Sequence, residues 1–146
     1  MELKKKIDAF LDGDAFAVVG ASSDRAKYGN KVLRLYMQKG IRAFPVNPNQ
    51  KEVEGLRCYP NLASLPEQVH GISIITPPAV TEQILEEAAR AGIRHVWMQP
   101  GAESPEALRR AEEQGMNVIG GGPCILVTMG YHEEVNEVRS EGRVPD

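Results

Sequence analysis

The sequence predicts an α/β fold: one domain of three α/β/α layers, built on a doubly wound, mainly parallel sheet of five strands. Five short apolar runs, at 15–20, 42–46, 71–75, 95–99 and 116–120, are rich in β-branched residues or end in Gly or Pro. Stretches such as Phe16-Ala17-Val18-Val19 and Ile72-Ser73-Ile74-Ile75 barely alternate, which suits strands buried on both faces. The segments between the runs carry helical spacing, and a strand–helix alternation implies parallel strands joined by right-handed crossovers. With 146 residues, 42% of them hydrophobic, the chain has material for one core and no second domain of ordinary size.

The elements follow in order. Leu3, Ile7, Phe10 and Leu11 share one face of a helix over about 3–11. The core domain then runs from about 12 to 128. Over 29–39, Val32, Leu33, Leu35, Tyr36 and Met37 form a broad apolar stripe, and Gly40 stops the helix. Residues 79–91 repeat the design with Val80, Ile84, Leu85, Ala88 and Ala91, closed by Gly92. Ser104-Pro105-Glu106 reads as an N-cap, a first-turn proline and an acid at the positive dipole end, and Gly115 closes that helix. The region 49–69 reads as a long, partly irregular connection, with one small extra strand over 53–58 and a single helical turn over 62–65. Beyond Cys124, 125–129 is apolar, and the tail from 131, charged over 133–146, reads as a surface helix or a frayed end.

No apolar run approaches the ~20 residues of a membrane span, and Met1-Glu2-Leu3-Lys4-Lys5-Lys6 leads into no signal-peptide core. The two cysteines, Cys58 and Cys124, form no C-x-x-C motif and no metal set, so reduced thiols in a cytoplasmic protein are expected. The net charge of −3 hides an asymmetry. From 25 to 51 the chain carries Arg25, Lys27, Lys31, Arg34, Lys39, Arg42 and Lys51 and no acid, a balance of +7 against −10 elsewhere. One basic segment in an acidic chain points to a local anionic ligand rather than to nucleic acid, for which 5% aromatic content also offers little stacking surface.

Open parallel sheets bind ligands beyond the carboxyl ends of their strands, so five loops matter. The first, 20–29, offers small residues, two hydroxyls and a helix start, where backbone N–H groups and the helix dipole receive phosphate. An ordinary turn whose Ser and Asp cap the helix is the alternative. It is not G-x-G-x-x-G, because Ser22 takes the middle position. The second strand ends in Pro45-Val46-Asn47-Pro48 with no acid before Glu52, which disfavours plain NAD. The basic segment suits a phosphorylated ribose, as in NADP (which Arg42 could serve) or coenzyme A. Thr76-Pro77-Pro78 and Gln99-Pro100-Gly101-Ala102 make stiff, uncharged walls. In Gly120-Gly121-Gly122-Pro123-Cys124, the thiol reads as a small core residue rather than a nucleophile.

Val18-Val19-Gly20-Ala21-Ser22, Pro45-Val46-Asn47-Pro48, Thr76-Pro77-Pro78, Gln99-Pro100-Gly101-Ala102 and Cys124, in this order, resemble the stand-alone CoA-binding domain proteins of the YccU-like family. That domain is similar to the N-terminal CoA-binding domain of the succinyl-CoA synthetase α subunit. The resemblance implies a Rossmann-like sheet with CoA, or an acyl-CoA, across its carboxyl edge. It implies Gly20, Ala21, Ser22 and Ser23 against the phosphates with Arg25 and Lys27 nearby, and Tyr28 and Gly29 among the binding residues. Asn47 and Pro48 would lie beside the adenosine phosphate end, with Thr76, Pro77 and Pro78 along the adenine or pantetheine, and Gln99 in the fourth loop. The synthetase keeps its phosphohistidine in a second domain, and none of His70, His95 and His132 occupies such a place. Gln99 stands where the ligases carry an acid.

No H-E-x-x-H, G-x-S-x-G or Walker A motif occurs. Glu86-Glu87, Glu112-Glu113 and Glu133-Glu134 read as solvated faces, and Trp97 as core. The expectation is a module that binds CoA or acyl-CoA without catalysis, metal, membrane or nucleic acid. A homodimer or a further protein partner is left open. The alternatives are an NAD(P)-binding enzyme or redox-sensing module, and the non-catalytic half of an acyl-CoA ligase.

Overall fold

Residues 2–131 are described by the computed structural model; His132 and the expected surface helix or tail of 133–146 lie outside them. The chain runs α1 (Leu3–Leu11), β1 (Ala15–Val19), α2 (Tyr28–Gln38), β2 (Arg42–Val46), β3 (Glu52–Val53) and β4 (Leu56–Arg57). A 3-10 turn over Leu62–Ser64 leads to β5 (Gly71–Ile74), α3 (Pro78–Arg90), β6 (His95–Met98), α4 (Pro105–Glu113), β7 (Asn117–Ile119) and α5 (Ile125–Thr128). The main sheet has the order β2-β1-β5-β6-β7, and every pairing in it is parallel. All five residues of β1 and all four of β5 are buried, as their unbroken apolar character requires.

The period of two splits each strand between the faces. Phe16, Val18, Trp97 and Ile119 face a core with Phe10 of α1, Val32, Leu33 and Tyr36 of α2, and Ile125 of α5. Ala17, Val19, Ile72, Ile74, Val96 and Met98 face Ile84, Leu85 and Ala88 of α3 and Ala107 and Ala111 of α4. Phe10 meets Trp97 edge to face with ring centroids 5.4 Å apart and lies tilted against Phe16 at 5.2 Å. Ser73, the one polar residue inside β5, bonds its hydroxyl to Tyr36 Oη at 2.9 Å, and burial pushes the Tyr36 phenol well above its ordinary range.

Three expectations change. The extra strand at 53–58 is a two-stranded antiparallel hairpin, because Glu54 and Gly55 both take positive φ, 52° and 80°, and fold the segment back. The helical turn at 62–65 is a 3-10 turn whose cap, Asn61 Oδ1, accepts from Ser64 N at 3.0 Å. The apolar 125–129 segment holds the short helix α5. Ser104 caps α4 as its sequence suggested, accepting from Ala107 N at 3.0 Å.

At the amino edge His70 and His95 stack, with centroids 4.2 Å apart. His70 Nε2 lies 2.9 Å from Ala9 O, and Asn117 Nδ2 donates to Lys6 O at 3.0 Å, so both tie α1 to the sheet. No helix among the described residues is long and apolar enough to cross a membrane, and no group of His, Cys, Asp or Glu among them is arranged to hold a metal.

Candidate ligand-binding cleft

The chain leaves β1 for β2 on one side and returns to β5 on the other, so the loops after β1 and β5 diverge and open a cleft at the carboxyl edge. Its volume is about 600 Å³, within the usual range for small-molecule sites. Two glycines shape its floor. A Cβ on Gly20, whose φ is 98°, would stand 2.5 Å from Ile75 O. One on Gly29 would stand 2.1 Å from Gly20 O, so only glycine lets the first turn of α2 rest on the end of β1.

The loop between them is held by its carbonyls. Ala21 O accepts from Asn47 Nδ2 at 2.7 Å, Ser22 O from Asn30 Nδ2 at 2.8 Å, and Arg25 O from Arg34 Nη2 at 2.9 Å. In a trans peptide the N–H points opposite the C=O, so the N–H groups of Ser22 and Ser23 turn away from these donors. Neither finds an acceptor among the described residues. Ser22 Oγ accepts from Asp24 N and Asp24 Oδ1 from Ala26 N, both at 3.0 Å, so these side chains cap local turns and not the helix. Helix α2 therefore opens without a side-chain cap, with its first N–H groups and dipole end beside the cleft.

The opposite wall is apolar. Ile75, Thr76 and Pro77 follow β5, and Val80, Gln83 and Ile84 continue it along α3, while Pro48 and Pro60 close the β2 side. A neighbouring hollow of about 620 Å³ runs behind Asn61 and Glu87 toward Glu67 and Gln68, off the strand ends.

Of the residues expected from sequence, Gly20, Ser22, Lys27, Gly29, Asn47, Pro48, Thr76 and Pro77 line the cleft. Ala21 is fully buried beneath it, Ser23 is exposed beside it, and Pro78 starts α3 outside it. Asn47 spends its side chain on the loop and on Asn49 N. Arg25 lies on the outer side of α2, with Nε 3.2 Å from Glu54 Oε2. Tyr28 turns toward Gln99, which is fully buried and whose Oε1 accepts from Tyr28 Oη at 3.0 Å and from Ile125 N at 2.9 Å. With its proton committed to Gln99, the Tyr28 oxygen accepts from the Cys124 thiol. Burial, the larger cause, pushes the phenol far above its ordinary range. Gln99 Nε2 is left buried with no acceptor among the described residues.

The basic segment does not act as a block. Only Lys27 of its seven cations lines the cleft. Arg34 is 3% exposed and bonded to Asn30 Oδ1 at 2.7 Å. Arg42 opens β2 at the opposite edge of the sheet, paired in bidentate fashion with Glu67 at 2.7 and 3.0 Å, so it cannot serve an NADP phosphate in this cleft. The residues that sequence reasoning missed are those of α3 and the connection: Val80, Gln83, Ile84, Pro60 and Asn61. Val80, Gln83, Ile84 and Glu87 share one helical face, and Val80 is 40% exposed.

A parallel sheet with a switch-point cleft, an N–H-bearing turn and an uncapped helix start defines a Rossmann-like α/β domain. The chain belongs to the CoA binding domain family, whose model matches residues 14–130. It is 28% identical over 141 residues to the α subunit of the ADP-forming acetate–CoA ligase II of Pyrococcus furiosus, covering 89% of this chain and 30% of that one. Among solved structures, a conserved hypothetical protein from Pyrococcus furiosus is 45% identical with a TM-score of 0.74, covering 78% of this chain and 97% of that one. The dinucleotide-forming acetyl-coenzyme A synthetase 1 of Ca. Korarchaeum cryptofilum is 32% identical with a TM-score of 0.65, covering 73% of this chain and 26% of that one. The chain spans 30% or less of the curated relatives it matches.

Proposed function

We propose that the chain binds coenzyme A or an acyl-CoA in the carboxyl-edge cleft, as a ligand-binding module with no bond-making step of its own. The observation that carries this reading is the division of the cleft into two walls. On one side the N–H groups of Ser22 and Ser23, the start of α2 and Lys27 offer donors and positive charge for phosphates. On the other, Ile75, Pro77, Val80 and Ile84 offer an apolar surface for adenine or for the pantetheine arm. CoA joins these two chemistries in one molecule.

Of the titratable groups, Lys27 and Glu87 line the cleft, while Tyr28, Cys124, His70 and His95 are engaged elsewhere. Tyr28 bonds both Gln99 and Cys124, and His70 and His95 sit at the opposite edge of the sheet. A second reading, a CoA-holding part of a ligase whose catalysis comes from a partner, is favoured by the similarity to the ligase α subunit.

Thermal unfolding with CoA, dephospho-CoA and NADPH tests the proposal. A ligand that binds only the folded state stabilises it by mass action, by about 2.7 kcal/mol at a hundred times its Kd. CoA should raise the midpoint most. No shift at millimolar CoA, with a clear shift from NADPH, would refute it.

A further inference from the structure

The β3–β4 hairpin carries an anomaly at its turn. Glu54 has a φ of 52°, a left-handed conformation that Gly, Asn or Asp fills far more easily than a glutamate. Strain of this kind persists where a side chain does something its easier substitutes cannot. The Glu54 side chain is only 18% exposed, and its Oε2 accepts from Asn30 Nδ2 at 3.0 Å and Arg25 Nε at 3.2 Å.

Asn30 is fully buried on α2 and every one of these bonds has a direction. Its Oδ1 accepts from Arg34 Nε at 2.7 Å, while its Nδ2 donates both to Glu54 and to Ser22 O at 2.8 Å. A flipped amide would set oxygen against the Glu54 carboxylate and the Ser22 carbonyl, and N–H against the Arg34 guanidinium. The carboxylate thus joins Arg34 and the Ser22 carbonyl in fixing the sense of the amide. The amide fixes the Ser22 carbonyl, and the trans peptide then leaves Ser23 N–H free on the other side. The Glu54–Arg25 bond adds a second tie from the same hairpin to the same loop.

We propose that Glu54 is a positioning residue, which acts through Asn30 to hold the loop after β1 in its phosphate-receiving form. The proposal rests on the CoA reading of the cleft. Preorganising such a loop raises affinity by removing an ordering cost from the binding step.

The test is calorimetric titration of the full chain with CoA, alongside unfolding midpoints, for the wild type, Glu54→Asn and Glu54→Gln. Asparagine relieves the backbone but is too short to reach Asn30; glutamine keeps an acceptor oxygen at the same length. Glu54→Asn should bind CoA about 2- to 12-fold more weakly, the worth of one hydrogen bond, with no loss of thermal stability. Glu54→Gln should stay within about twofold of the wild type. A purely structural role would move the midpoint and leave affinity unchanged. Wild-type affinity in Glu54→Asn, tighter binding by it, or equal weakening in both variants would each overturn the proposal. If Glu54→Asn does not fold, Glu54→Gly, which the same φ accepts, carries the same prediction. Failure of the wild type to bind CoA would instead refute the reading of the cleft, and this proposal with it.

Discussion

Gly20 and Gly29 stand nine positions apart, yet a side chain at either would run into backbone, Ile75 O for Gly20 and Gly20 O for Gly29. Gly29→Ala places a methyl 2.1 Å from Gly20 O, against backbone that cannot yield as a side chain would. It should lower stability by about 1–3 kcal/mol in urea unfolding and weaken CoA binding by lifting α2 off the loop. Lys27 acts differently, as an exposed charge at the cleft rim. Lys27→Gln should weaken CoA binding roughly 2- to 5-fold and flatten its salt dependence. Lys39→Gln, at the far end of α2, should change neither when both are titrated at two salt concentrations. Residue identity along the chain was a good guide to the glycines and a poor one to the cations. The basic run spans a loop, a helix and a strand, so Arg34 on α2 goes inward, Arg25 in the loop turns outward to Glu54, and Lys27 alone of the seven lines the cleft.

At the scale of elements, α1 depends on groups that titrate. Asn117 Nδ2 donates to Lys6 O and lies 3.1 Å from His95 Nδ1, which must therefore accept and be unprotonated. Burial first, then the neighbouring His70 and Arg94, depress the His95 pKa below its ordinary value. The unfolded chain takes up the proton near pH 6.5 while the folded protein still resists it. The stability this group contributes is thus present above pH 6.5 and lost as pH falls through that value toward the folded one. Chemical unfolding at pH 7.5 and 5.5 should show this loss, and His95→Gln should reduce the difference between the two. The long elements were legible because each carries a sustained pattern: β1 is apolar throughout, and α4 announces its start with Ser104 and Pro105. Strands β3 and β4 were not, since two residues apiece cannot express a period, and glutamate is an unusual occupant of their turn. The α3 wall was hidden for another reason. Helical periodicity finds an apolar face without telling core from ligand, and Val80, in the apolar pattern of 79–91, is 40% exposed.

Across the whole molecule the sheet order sets where the cleft opens, and local chemistry makes one of its sides polar and the other apolar. The topology leaves one divergent pair of loops, after β1 and β5, and lays the polar loop and the apolar helix face on its two sides. That placement follows from the alternation of elements, which the sequence displayed from the outset. The amino edge is spoken for by the histidine stack and the ties to α1. In the proposed complex the phosphates of CoA meet the backbone between β1 and α2. Amide NMR during a CoA titration tests it most directly. The amides of Ser22, Ser23, Tyr28 and Gly29 should shift together and saturate together, while those of His70 and His95 stay in place. Saturable shifts confined to the amino edge, or none in the 22–29 segment at millimolar CoA, would contradict it.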